Sequence, residues 1–159
     1  MYPDYFACFG LPANYGLDTG ALKTAYFRLA RQYHPDAQAQ IHDVQAQAAQ
    51  QMAYVHTAYE TLMNPFARAQ YLAKLKGIPA ATMSEELLME QFNLREAIDA
   101  AQTALDKKQL KEEVQSRLST LEAQCQHAFD VAADSATIGR CLYVWPYYQR
   151  ALAQLAIEG

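Results

Sequence analysis

The chain has 159 residues and a formal net charge of −4, is rich in Ala, Gln and Leu and poor in Val and Ile, and carries only six Gly and six Pro. That balance favours helices over strands and allows one moderate core or two small ones, so an all-α protein is expected. The charge is uneven: residues 1–76 hold six Lys/Arg against five Asp/Glu, residues 77–159 seven against twelve, and nowhere do cations cluster densely enough for nucleic acid to be the partner.

The N-terminus, "MYPDYFACFG", has an early acid and no basic start before an apolar core, and no run of 18 apolar residues occurs in the chain. A membrane role is not expected, and the cytoplasm is the expected location. Residues 2–10 read as a short aromatic lead-in in which Tyr5, Phe6 and Phe9 are candidate core anchors. Cys8, Cys125 and Cys141 are odd in number and widely spaced, which suits buried apolar thiols in a reducing compartment better than a disulfide framework or a zinc knuckle.

After the loop "GLPANYGLDTG", Asp18 or Thr19 can cap a helix over about 21–33. At about 100° per residue, Leu22, Ala25, Tyr26, Leu29 and Tyr33 share one face, whereas Lys23, Thr24, Phe27, Arg28 and Arg31 share the other. The outer face holds three cations and no acid. Pro35 disfavours helical dihedrals at His34 and cannot donate to the preceding turn, so the helix is expected to end at Tyr33 or His34. That leaves His34, Pro35 and Asp36 at a solvent-facing tip.

Val44, Ala48, Met52, Val55, Tyr59 and Leu62 recur at three and four, which predicts a second helix capped by Asp43, ending near Met63 and packing antiparallel to the first. Asn64 and Pro65 open another helix that Gly77 stops. "GIPAATMS" then reads as a connection. Beyond it, helices are predicted over about 84–107, 109–133 and 137–157, with Pro146 kinking or splitting the last. Three helices joined by short breaks make a small bundle.

The tripeptide at 34–36 admits several readings. As a metal site it recruits His34, Asp36 and His42, in a helical metal-dependent enzyme; a ligand pair spanning Pro35 beside an Ala/Gln loop fixes no coordination geometry. As acid–base machinery it lacks a neighbouring nucleophile and a pocket. Simple helix termination leaves two solvated polar side chains. As one edge of a cationic helix face, it forms a docking surface for an acidic partner.

The second module has its own signal. Leu87, Leu94, Ile98, Ala101 and Leu105 form a core stripe, while Leu88, Met89 and Phe92 lie a quarter turn or more away among Glu85, Glu96 and Asp99. A helix with two apolar faces needs a second cover, from the first module or from another protein.

"AYFRLARQYHPD" (25–36) resembles the second helix and His-Pro-Asp signature of J-domains, which activate DnaK-class ATPases, and "AYETL" (58–62) resembles their third helix. "DYFACFGLPANYGLD" (4–18), "MNPFARAQYLAKLKGI" (63–78) and "LLMEQFNLREAID" (87–99) are similar to the HscB family of iron–sulfur co-chaperones. The resemblance spans nearly the whole chain. It implies an N-terminal J-domain hairpin module at 1–76 and a C-terminal three-helix bundle at 77–159, L-shaped or elongated overall. It implies a co-chaperone, not an enzyme, without a cofactor: His34, Pro35 and Asp36, with Lys23, Arg28 and Arg31, engage an HscA-like chaperone and stimulate its ATPase. Leu88, Met89, Phe92, Glu96 and Tyr143 hold an IscU-like iron–sulfur scaffold. A general J-domain protein serving other clients is the alternative. The chain departs from the family where Ala37 and Gln38 replace a Lys and an aromatic, where Asn93 and Ala100 replace acids, at Phe27, where a polar residue is usual, and in the aromatic segment "YVWPYY" (143–148).

Overall fold

The computed structural model describes residues 3–33 and 42–157 and contains no strand among them. Among the described residues seven α-helices run in chain order: α1 Tyr5–Phe9, α2 Thr19–Gln32, α3 His42–Met63, α4 Pro65–Lys76, α5 Glu85–Ala100, α6 Ala104–His127 and α7 Ser135–Ile157. The chain divides into two compact units, Met1–Leu72 and Ala73–Gly159, so that the division falls within α4.

In the first unit the aromatic lead-in is itself a helix. Asp4 caps α1 by accepting from the Ala7 N–H at 2.8 Å, and Gly10, at φ 68°, closes it in the left-handed region that glycine enters without a Cβ clash. Phe6, Cys8 and Phe9 are buried, and burial pushes the Cys8 thiol up to about 11. Tyr5 lies flat on Tyr71 of α4, with centroids 4.3 Å apart, and its backbone N–H donates to the Tyr71 hydroxyl at 2.9 Å.

Asp18 caps α2 through the Ala21 N–H at 2.9 Å. Leu22, Ala25 and Leu29 are buried as their spacing predicts, and they pack toward Ala48, Val55, Ala58 and Leu62 of α3. Tyr26 and Tyr59 stack across the two helices with centroids 4.2 Å apart. Helix α3 begins at His42, so Asp43 falls in its first turn and not at its cap. Asn64 caps α4 through the Ala67 N–H at 3.0 Å with Pro65 in the first position, where its missing donor costs nothing. Arg68 is the buried cation of this unit: its guanidinium donates to the Leu62 carbonyl at 2.7 Å and lies 4.8 Å from the centre of the Tyr15 ring. Tyr15 is itself buried, which pins the loop before α2.

In the second unit Ser84 caps α5, which ends at Ala100, not near Lys107. The reason is a capping box: the Thr103 hydroxyl accepts from the Asp106 N–H at 3.1 Å, and the Asp106 carboxylate accepts from the Thr103 N–H at 3.0 Å. Donation from the Thr103 N–H, and then from the Thr103 side chain, holds the Asp106 carboxyl below its ordinary range. The restart also changes the helical phase. Leu87, Leu94 and Ala101 are buried and Ile98 is half-buried as predicted, but Leu105 is 63% exposed.

Helix α6 buries Val114, Leu121 and Cys125 and passes into one π-helical turn, Ala128–Ala132, where the Ala133 N–H returns to the Ala128 carbonyl. The extra residue in that turn rotates Ala132 out to solvent, although Ala132 continues the three-and-four spacing of Leu121, Cys125 and Ala128. Asp134 then gathers the N–H groups of Ala136 and Thr137 and the Thr137 hydroxyl, which hold its carboxyl low. Helix α7 continues through Pro146 without splitting. Its core face comprises Ile138, Cys141, Leu142, Trp145, Tyr148, Ala151 and Leu155.

Cys125 and Cys141 meet where α6 and α7 pack. All three cysteines are free and buried, and a hydrogen bond with Cys141, together with burial, drives the Cys125 thiol upward. The connection before α5 is fastened to α7 at Gly139, whose carbonyl accepts from the Ala81 N–H at 2.9 Å. A Cβ on Gly139 would sit 2.9 Å from the Pro79 carbonyl oxygen.

Candidate partner-binding surfaces

The first surface is the outer face of α2. Burying Leu22, Ala25 and Leu29 turns Lys23, Phe27, Arg28 and Arg31 outward, and all four are exposed. Phe27, Arg28 and Arg31 line one shallow cleft of about 680 Å³ with Thr24 and Gln32. The nearby acid Glu60 is engaged by His56 at 3.3 Å, one turn away on α3. Among the described residues the face therefore presents cations and an aromatic ring without a carboxylate lining the cleft. Helix α2 ends at Gln32 with Tyr33 as its cap residue, in agreement with the stop expected from Pro35. The predicted site residues His34, Pro35 and Asp36 lie outside the described residues, as does the side chain of His42. Among the described residues no group of three or more His, Cys, Asp or Glu side chains is placed to hold a metal ion.

The second surface belongs to α5 and α7. Leu87 and Leu94 are the buried stripe of α5, and Leu88, Met89 and Phe92, about a quarter turn away, remain 50%, 51% and 53% exposed. Glu96, one turn beyond Phe92, is also exposed. Leu88 and Phe92 form one wall of a groove of about 550 Å³ whose other wall is Tyr147 and Ala151 of α7, with Arg95 and Arg150 at the rim. Met89 and Glu96 stand outside this groove on the free face of α5.

Tyr143 is half-buried. Its hydroxyl accepts from the Gln91 amide at 3.3 Å, and its ring lies 5.6 Å from that of Tyr147. The structure therefore brings Leu88, Phe92 and the aromatics of α7 together, and it adds Tyr147, which the sequence reading left unassigned within "YVWPYY". Its i+4 spacing from Tyr143 was the available signal. The segment is divided between roles: Val144, Trp145 and Tyr148 are core, whereas Tyr143 and Tyr147 edge the surface.

Glu90 fixes this wall from behind. It accepts from Arg140 at 2.8 Å and from the Tyr148 hydroxyl, tying α5 to α7 at the height of Leu88 and Phe92. Burial, and then the bond to Glu90, push the Tyr148 phenol up. No spacing rule marks Glu90, because its partners are some fifty residues distant on another helix.

Residues 4–71 match the DnaJ domain model, and residues 83–156 match that of the HSCB C-terminal oligomerisation domain. The first makes the chain a J-domain protein, and the pairing with the second defines its class. Three solved structures carry the same fold. Human co-chaperone HscB gives a TM-score of 0.87 at 24% identity over 98% of this chain and 81% of that one. Chaperone HscB from Vibrio cholerae gives 0.82 at 27% identity over 98% and 96%, and the Jac1 co-chaperone from Saccharomyces cerevisiae gives 0.76 at 18% identity over 97% and 92%. The chain belongs to the HscB family of J-domain co-chaperones. No helix among the described residues is long and apolar enough to cross a membrane.

Proposed function

We propose that this protein is an adaptor that carries an iron–sulfur scaffold of the IscU kind to a DnaK-class chaperone of the HscA kind and stimulates that chaperone's ATPase, assisting maturation and transfer of the cluster. The module at residues 1–76 engages the chaperone. His34, Pro35 and Asp36 promote ATP hydrolysis at the partner's own active site, and Lys23, Arg28 and Arg31 steer the approach to an acidic surface. The module at 77–159 holds the scaffold through Leu88, Met89, Phe92, Glu96 and Tyr143. The protein supplies no catalytic group of its own, and the cluster is cargo of the scaffold. Three free, buried thiols suit a reducing compartment, the cytoplasm.

One observation carries this reading: a single chain of the HscB family keeps two unlike surfaces open, a cationic face on α2 and a contiguous apolar one on α5. Binding both partners through one chain raises the scaffold's effective concentration at the chaperone without any new contact between them. The test is steady-state ATP turnover by the chaperone with this protein, with the scaffold, and with both. Stimulation greater than the sum of the separate effects is expected, and it vanishes in His34→Gln. Undiminished stimulation by His34→Gln would overturn the assignment.

A further inference from the structure

Phe27 is an anomaly that the electrostatic account of α2 does not absorb. Its ring is 51% exposed in the middle of a face whose other long side chains are Lys23, Arg28 and Arg31. A cation there would serve steering; an aromatic ring there leaves apolar area in water. The ring is also braced at its base. It meets Tyr26 edge-on, with centroids 5.6 Å apart, and Tyr26 is stacked on Tyr59 and lies 3.4 Å from His56 through its hydroxyl. With only two side-chain torsions, a Phe ring loses little freedom on association, and aromatic residues are enriched in the cores of protein interfaces. Arg28 and Arg31 share its cleft, and among the described residues no carboxylate lines it.

We propose that Phe27 is the apolar anchor through which this chain selects its ATPase partner: a chaperone whose acidic docking surface carries an apolar recess wide enough for one ring. This rests on the reading of α2 as the chaperone-binding face. Lys23, Arg28 and Arg31 bring the acidic surface in, at a rate that salt reduces; Phe27 then sets the lifetime of the complex, because covering the exposed part of the ring is insensitive to salt.

The experiment titrates the wild type, Phe27→Ala, Phe27→Leu and Phe27→Lys against a purified HscA-like ATPase, with His34→Gln in parallel. Phe27→Ala should raise the concentration for half-maximal stimulation about tenfold, with the maximum unchanged. Phe27→Leu should stay within about threefold of the wild type, and Phe27→Lys should resemble Phe27→Ala, since charge does not replace the ring. His34→Gln should lose the maximum at every concentration, which separates triggering from anchoring. Wild-type behaviour of either Phe27→Ala or Phe27→Lys, while His34→Gln is inactive, overturns the anchor and leaves the chaperone-binding face standing. A wild type that does not stimulate overturns both. Light scattering covers the other occupant: a wild-type dimer that Phe27→Ala converts to monomer would place the ring against a second copy and overturn the proposal.

Discussion

The exposed face of α2 and that of α5 each display apolar side chains, but they differ in what surrounds them. On α2 a single ring stands among three cations. On α5 Leu88, Met89 and Phe92 are exposed together, and Leu88 and Phe92 open onto a groove with charges of both signs in its lining. The first arrangement favours fast, salt-sensitive encounter with an acidic surface; the second favours burial of apolar area, which is slow to release and nearly indifferent to salt. The contrast is physical grounds for assigning different partners to the two surfaces.

Removing the apolar wall should have the largest effect. Leu88→Ala/Phe92→Ala should weaken capture of an IscU-like scaffold by about a hundredfold in a calorimetric titration, because two half-exposed side chains lose the area that association would cover. Capture at full strength would make the wall a passive surface and erase the contrast.

Core defects should then separate the two units. Arg68→Met removes the bond to the Leu62 carbonyl and the contact with Tyr15, at a cost of about 2 kcal/mol, read as faster hydrogen exchange in α1 to α3 with the second unit little changed. In the second unit Gly139→Ala must displace the Pro79 carbonyl or shift α7, and faster exchange of the Ala81 amide, which donates to the Gly139 carbonyl, is the expected sign.

Salt sharpens the comparison more gently. Between about 0.05 and 0.3 M salt, chaperone association should slow severalfold while scaffold affinity scarcely moves. Lys23→Gln/Arg28→Gln should flatten that dependence.

The smallest effect concerns pH. Asp106 has its folded-state pKa depressed by the capping box, so its contribution is present above the unfolded carboxylate pKa and is lost as pH falls through the lower folded value. Acidification should therefore loosen the start of α6, and Asp106→Asn, which has no carboxyl to titrate, should remove that pH dependence in an exchange experiment.

Both surfaces were legible in the sequence to the extent that helical periodicity reaches. Leu22, Ala25 and Leu29 define the inner face of α2 by spacing alone, which forces Lys23, Phe27, Arg28 and Arg31 outward. Leu87 and Leu94 do the same for α5 and leave Leu88, Met89 and Phe92 without a place in its core. Periodicity failed where the phase was reset. The capping box at Thr103 and the π turn after His127 each reset the count, which is why Leu105, expected inside, lies outside, and why Ala132 lies outside despite its spacing from Leu121, Cys125 and Ala128.

The sequence by itself determined the helices, their inner faces, the stops at Tyr33 and Gly77 and the exposure of the two surfaces, because each depends on neighbours within a turn or on a cap. Only the tertiary structure decided that Arg68 is buried against Tyr15, that Glu90 joins Arg140 and Tyr148, and that Tyr147 completes a groove with Leu88 and Phe92. Those contacts join residues about fifty positions apart, and no local spacing encodes which side chains two packed helices will bring face to face.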